Sequence, residues 1–324
     1  MKIVVTGATS FIGAVTVRQL LERGDQVYGV VRPGSRNLGH LMEMAGKCGA
    51  AQEPAEAVCG LTVIPLELGN IERINTYVTG ADAWIHVGWD GAGSDNRRRR
   101  DVQQRNVRDS LAAVRAAASL GCKRFLFTGS QAEYGPCREL IREDTPCNPV
   151  SEYGIAKKDF ANQAKTLCKK EKIEYIHTRI FSVYGPGDHP WSLVQSCLRT
   201  WRQGGEMKLG ACTQQWNFLY IEDAASALVH LLTEGEPGVY NVAGGDTRPL
   251  RVYIEELYRL CGSRGSFVYG ERPENAEGPA DLMPDISRLL GATSWRPKTS
   301  FAEGIHEMLH CMQEEASCEA AVRP

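Results

Sequence analysis

No Cys-x-x-Cys pair occurs among the eleven cysteines of this 324-residue chain, which removes the commonest zinc and dithiol signatures. Their odd number, with no secretory leader before the first apolar segment, reads as free thiols in a reducing cytoplasm. The seven histidines do not gather at ligand spacing, so no metal is expected. No apolar run approaches the roughly 20 residues of a membrane span. Charge of one sign is also lacking: 37 basic residues stand against 39 acidic ones, a net charge of −2. A general pull toward nucleic acid or an anionic membrane is thereby excluded, and a small-molecule substrate is expected instead. No internal repeat is visible. What remains is ordinary globular composition, 43% hydrophobic, long enough for one large domain and a smaller companion.

The first motif is at the start. Lys2 to Thr6 is a short apolar run, and Thr6-Gly7-Ala8-Thr9-Ser10-Phe11-Ile12-Gly13 leads from it into a helically spaced segment that stops at Gly24. In such a strand, turn and helix, Gly7 permits a tight turn close to a pyrophosphate and Gly13 permits close helix-to-strand packing. The helix N-terminus offers unpaired N–H groups to the anion, and Ser10 stands where a third glycine is usual. Gln26 to Val31 supplies the second strand that this dinucleotide cradle requires. An acidic residue after that strand would suit the ribose of NAD. Arg32, with Ser35 and Arg36 close behind, suits a 2′-phosphate, so NADP is expected, with NAD as the alternative.

The second motif is Tyr153-Gly154-Ile155-Ala156-Lys157. Residues four apart share a helix face. An ammonium beside a phenol favours the phenolate, which lets a tyrosine exchange protons with a substrate oxygen. Upstream, Arg124 to Thr128 reads as a strand ending in Gly129-Ser130-Gln131-Ala132-Glu133, which places a hydroxyl at a strand end. Ser130 there is the candidate for polarising a carbonyl. Its bland alternative is a turn serine bonding its own backbone.

These motifs resemble the extended short-chain dehydrogenase/reductases of the NAD-dependent epimerase/dehydratase family, most of which act on nucleotide-activated sugars. The similarity extends through Asp82 to His86, Asn106, Arg179 to Asp188, Asn217 to Ala225, Tyr240 to Gly244 and Asp285 to Gly304. The resemblance implies a triad of Ser130, Tyr153 and Lys157, with Lys157 also holding a ribose. It further implies that Gly7, Thr9, Ser10, Phe11, Ile12, Gly13, Arg32, Ser35, Glu67, Leu68, Val87 and Phe181 meet the cofactor. Trp89, Gln131, Ser182 and Trp216 fall where substrate is met. Four departures stand out. Gln131-Ala132 replaces the Asp-Glu pair of the dehydratases, which argues against water elimination. Ser182 replaces a frequent asparagine, and Trp216-Asn217 replaces an Arg-Asp pair. Gly88-Trp89 stands where two alanines are common, so Trp89 either narrows the pocket or is a buried loop wall.

Strand and helix signals alternate to about residue 180, implying an α/β fold: a Rossmann-type doubly wound parallel sheet with a smaller C-terminal substrate-binding lobe. The expected division is 1–178 for the NAD(P)-binding domain, with a return around 215–243, and 179–324 mainly for the lobe. Ala45 to Gly60 reads as an irregular insertion before a strand at Leu61 to Leu66, and Ala316 to Pro324 as a frayed end. The alanines of the helix from Arg105 to Leu120 suit close packing, either in the core or in the homodimer interface that the resemblance implies. Arg97 to Arg100 is a four-arginine run, read either as a solvated face or as a site for phosphates or a partner subunit. The expected activity is reduction of a nucleotide-linked 4-keto sugar with NADPH. A 4-epimerase with NAD is the alternative. A further one is reduction of a non-sugar ketone or aldehyde, as in the plant flavanol-forming reductases, which share the Val-Arg ending of the second strand. A cofactor-sensing binding protein is disfavoured because all three triad residues are present.

Overall fold

The run Lys2–Thr6 forms strand β1, and every residue in it after Lys2 is buried. A strand covered on both faces needs no polar alternation, which marks the centre of a parallel sheet. The computed structural model describes residues 1–46, 57–58, 60–93, 96–272 and 280–322. After β1 come α1 (Phe11–Glu22), β2 (Gln26–Val31), α2 (Leu38–Met44), β3 (Ala57–Val58) and β4 (Leu61–Pro65). The second half adds β5 (Ala83–His86), α3 (Arg100–Ser119), β6 (Arg124–Ser130), α4 (Glu152–Glu171) and β7 (Glu174–Ile180). Beyond β7 are β8 (Ser182–Tyr184), α5 (Leu193–Arg202), β9 (Glu206–Lys208), β10 (Gln215–Tyr220) and α6 (Ile221–Thr233). The chain ends with β11 (Gly238–Val242), β12 (Thr247–Pro249), α7 (Leu250–Leu260), β13 (Ser266–Val268), α8 (Ser287–Ala292) and α9 (Phe301–Val322).

The main sheet runs β11-β7-β6-β5-β1-β2-β4-β3. Every pairing in it is parallel except β3 with β4. From β1 the chain winds out through β2 and β4, then crosses back to lay β5, β6 and β7 on the other side. That reversal leaves a crevice at the carboxyl ends of β1 and β5, where ligands of doubly wound sheets bind. Ala14, Val17 and Leu20 of α1 pack with Ala224, Ala227 and Leu228 of α6 over one face. Val107, Ala113, Ala116 and Ala117 of α3 pack with Ala156, Phe160 and Ala164 of α4 over the other. The α3 alanines therefore bring two helices of the same chain close together, which accounts for their size without a second subunit.

The chain leaves the main sheet after β7 and rejoins it only at β11, which pairs with β7. Between them β10 joins a small sheet of order β12-β10-β8, and β13 pairs with β9. Trp201, Tyr184, Tyr253 and Phe301 fill the aromatic core of this second region, and the cluster reaches Val15 of α1. Lobe and cradle thus share packing. Two expectations need correction. Pro65, not Leu66, closes the strand from Leu61, and the end of the chain is helical as far as Val322. Most of the expected insertion, Ala45 to Gly60, lies outside the described residues.

Candidate active site

The cradle is built by steric necessity. Gly7 has φ +69°, and a Cβ added there would stand 2.7 Å from the backbone nitrogen of Gly88. A Cβ on Gly13 would stand 2.1 Å from the Gly7 carbonyl oxygen. Both glycines are therefore required by close approach of backbone, at Gly7 also by a left-handed conformation. Ser10 has a defined role: its Oγ accepts the Gly13 N–H at 3.2 Å and caps α1. The N–H groups of Phe11 and Ile12 lie in the first turn, where an α-helix has no internal partners for them. A pyrophosphate fits these features, since small side chains and unpaired donors are what it needs.

Thr9 is tied to the segment after β2: its Oγ1 accepts from Ser35 Oγ at 3.0 Å, and its carbonyl accepts from Asn37 at 3.3 Å. Leu68 and Val87 are half-buried, and Glu67 is exposed. Leu68 lines the crevice, with its Cδ1 3.0 Å from a Cβ placed on Gly88. Phe181 follows Ile180, the register partner of Ser130. Its ring is buried with Tyr134, Ile141, Ala243 and Leu282, and its N–H is spent on Val242.

Lys157 is almost wholly buried, at 3% exposure. Its Nζ donates to the Thr128 carbonyl at 2.8 Å and lies 4.0 Å above the Trp89 ring. The Tyr153 ring centre is 5.6 Å from the same nitrogen. Tyr153 sits in the first turn of α4, which begins at Ser151, whose Oγ accepts the Gly154 N–H. Ser130 ends β6 beside them. Its Oγ donates to Gln131 Oε1 at 2.7 Å and accepts the Ala132 N–H at 3.2 Å, so the local bonding of a turn serine is present too. A substrate oxygen must take the place of Gln131 to receive that proton. Trp89 is a wall of the site: its Nε1 donates to the buried Gln103, and its ring meets Tyr153 edge-on.

In the second region, Ser182 pairs with Phe218 and Trp216 with Arg248. The Trp216 indole nitrogen is buried with no partner among the described residues. Asn217 is structural, since its amide bonds the carbonyls of Gly244 and Asp246 and accepts the Gly244 N–H. The arginine run does not form one patch. Arg99 pairs with Asp101, whereas Arg97 lies 4.3 Å over the Tyr153 ring.

Two supporting residues were not singled out from sequence. His86 ends β5 in full burial, linked to Thr6 at 2.8 Å and Ser110 at 2.9 Å. Gln103 was hidden as one polar residue of a charged helix, although its spacing of three from Asn106 puts both on one face. Burial, opposed by Glu133 and assisted by Arg97, pushes the Lys157 ammonium down to about 7. Burial, with Lys157 adding to it, pushes His86 down to about 3. In both cases the unfolded chain holds the proton at a pH where the folded one has released it. Stability therefore rises with pH, from about 3 to 6.5 through His86 and from about 7 to 10.5 through Lys157. Relative to Lys157→Met, the wild type is expected to gain up to about 1.4 kcal/mol per pH unit above pH 7 in denaturant titrations.

The fold and its glycine cradle define an enzyme of the short-chain dehydrogenase/reductase type. The chain belongs to the NAD dependent epimerase/dehydratase family, whose model matches residues 3–243. It is 26% identical over 212 residues to dTDP-D-glucose 4,6-dehydratase of Mus musculus, a stretch covering 62% of this chain and 58% of that protein. It is 24% identical to UDP-glucuronic acid decarboxylase 1 of Arabidopsis thaliana, with coverage of 95% and 69%. Its fold is that of UDP-glucose 4-epimerase from Thermotoga maritima, at TM-score 0.84, 21% identity and coverage of 98% and 100%.

The family is described as NAD dependent, which supports the NAD alternative and leaves the NADP expectation without support. The Arg32 side chain is 71% exposed and lies 3.9 Å from Asp90, and Ser35 donates its hydroxyl proton to Thr9. No helix among the described residues is long and apolar enough to cross a membrane.

Proposed function

We propose that this enzyme is a nucleotide-sugar 4-epimerase that keeps NAD bound, acting at a secondary alcohol of the sugar. The observation that carries the reading is the pairing of Tyr153 and Lys157 beside the cradle with no free carboxylate in the turn after Ser130. Gln131 and Ala132 are uncharged, and Glu133 is locked between His177 and Arg179. Proton exchange at an oxygen is thereby supported and elimination of water is not. The names of three relatives, a dTDP-D-glucose 4,6-dehydratase, a UDP-glucuronic acid decarboxylase and a dTDP-6-deoxy-L-talose 4-dehydrogenase, support the substrate class.

When bound, the dinucleotide supplies a reversible hydride acceptor. Gly7, Ser10, Phe11, Ile12 and Gly13 would hold its pyrophosphate, and Lys157 its ribose. Tyr153 takes the proton of the sugar hydroxyl and returns it to the resulting carbonyl oxygen. Ser130 donates to that oxygen once Gln131 releases it, which stabilises developing charge. Trp89 closes one side of the site and limits water. A homodimer is part of this reading.

An NADPH-dependent ketoreductase is the second reading, favoured by the exposed Arg32 cation at the end of β2. Denaturing the purified enzyme and identifying the released nucleotide separates the two. Stoichiometric NAD, with interconversion of UDP-glucose and UDP-galactose or another 4-epimer pair, is expected. An empty protein that binds NADPH in preference to NADH and consumes it would overturn the epimerase.

A further inference from the structure

The loop between β5 and α3 carries two side chains to the Tyr153–Lys157 pair. Trp89 covers the Lys157 ammonium, and the half-buried Arg97 places its guanidinium 4.3 Å from the centre of the Tyr153 ring. The loop is held in place from below. Gln103, fully buried on α3, donates to the carbonyls of Gly91 and Asn96 at 3.0 Å and accepts the Trp89 indole proton at 2.8 Å. Asn106, one turn further along, closes a pair of bonds with the backbone of Asp90, at 2.7 and 3.0 Å. The Arg97 N–H is itself bonded to the Gly93 carbonyl at 3.1 Å. A loose surface arginine would not be anchored through two buried amides.

We propose that Arg97 is a positioning residue of the active site, a permanent cation that steadies negative charge on Tyr153 through the face of its ring. A cation over an aromatic face is attracted more strongly when the ring becomes more electron-rich, as it does when a phenol ionises. Arginine keeps its charge at every working pH, whereas a buried lysine releases its proton readily. Lys157 titrates near neutrality, so Arg97 supplies the charge that Lys157 loses.

The elements packed against the Tyr153 turn bring other titratable groups. Glu133, from the turn after β6, is bonded to His177 and Arg179 of β7. His86 of β5 is neutral at working pH. On α3, Asp101 and Arg105 are exposed, as is Arg98 beside Arg97. Among the described residues, Lys157 and Arg97 are the cations over the Tyr153 ring.

The inference rests on Tyr153 being the proton-exchanging group, and its test needs no substrate. The ultraviolet absorbance of ionised phenol is titrated for wild type, Arg97→Gln and Arg97→Lys, each with the matching Tyr153→Phe variant subtracted. The midpoint of the Tyr153 step is expected to rise by about one pH unit in Arg97→Gln, a tenfold loss of phenolate at fixed pH. Arg97→Lys restores most of it, and NAD affinity stays within about twofold in all three. Arg97→Met, which keeps the stem over the ring and drops the charge, replaces Arg97→Gln if the latter does not fold. An unmoved midpoint, or the same shift in Arg97→Lys as in Arg97→Gln, overturns the proposal. A shifted midpoint in a protein inert toward nucleotide sugars would uphold the role of Arg97 and overturn the proposed function.

Discussion

Tyr153→Phe is expected to lower turnover by about 10²–10⁴-fold while the enzyme still folds and still binds its dinucleotide. The substitution removes one oxygen and leaves the ring, which meets Trp89 edge-on and lies under Arg97. The Lys157 ammonium, bonded to Thr128, keeps its place without the phenol. The loss therefore falls on the proton-exchange step, and kcat drops with little change in KM. Measuring both constants against a nucleotide sugar, beside NAD affinity from fluorescence titration, checks this. Retained turnover would mean that another group exchanges the proton and that the triad reading is wrong.

The second large effect is structural. Glu133→Ala is expected to cost about 3–5 kcal/mol of stability, because it leaves a charged partner uncompensated in the interior. Glu133 is fully buried, and its carboxylate accepts the Ser130 N–H at 2.9 Å, His177 Nε2 at 3.0 Å and Arg179 Nε at 3.2 Å. Burial alone would raise its pKa, but His177, Arg179 and the Ser130 N–H outweigh burial and hold it below the usual carboxylate range. A depressed carboxylate stabilises the fold above its unfolded value and loses that contribution as pH falls through the folded one. Acid unfolding of the wild type should therefore begin below about pH 4.5, while Glu133→Ala is already weakened at neutral pH. Chemical denaturation at two pH values measures the difference. Equal stability at pH 7 would show that the buried network contributes nothing net. Because Glu133 also closes the capping box that starts at Ser130, the variant should lose activity beyond its loss of folded protein.

Legibility in the sequence followed the range of each interaction. β1, α1 and β2 were readable because every cue is local: an apolar run, a glycine turn, helical spacing and Gly24 at the end. The Tyr153–Lys157 pair was readable because four residues make one helical turn. Ser130 could be located but its bonding could not, since whether its hydroxyl meets Gln131, backbone or substrate depends on the turn geometry. Trp89 was left between pocket wall and loop packing, and its contact with Lys157 joins the loop after β5 to α4. The NADP expectation from Arg32 failed to gain support because an arginine after a strand does not say whether anything converges on it.

By itself, the sequence determined the α/β alternation, the cradle at Gly7 and Gly13, and the residue types of the candidate site. Periodicity and turn chemistry act over a few residues, and a parallel strand buried on both faces announces itself by composition alone. Only the tertiary structure decided which arginine of the run from Arg97 to Arg100 meets Tyr153, that Glu133 is locked rather than available, and that Lys157 lies under Trp89. Those outcomes depend on charges and rings brought together from the loop between β5 and α3, the turn after β6, β7 and α4. Burial changes what each group can do, and burial is a property of the packed chain.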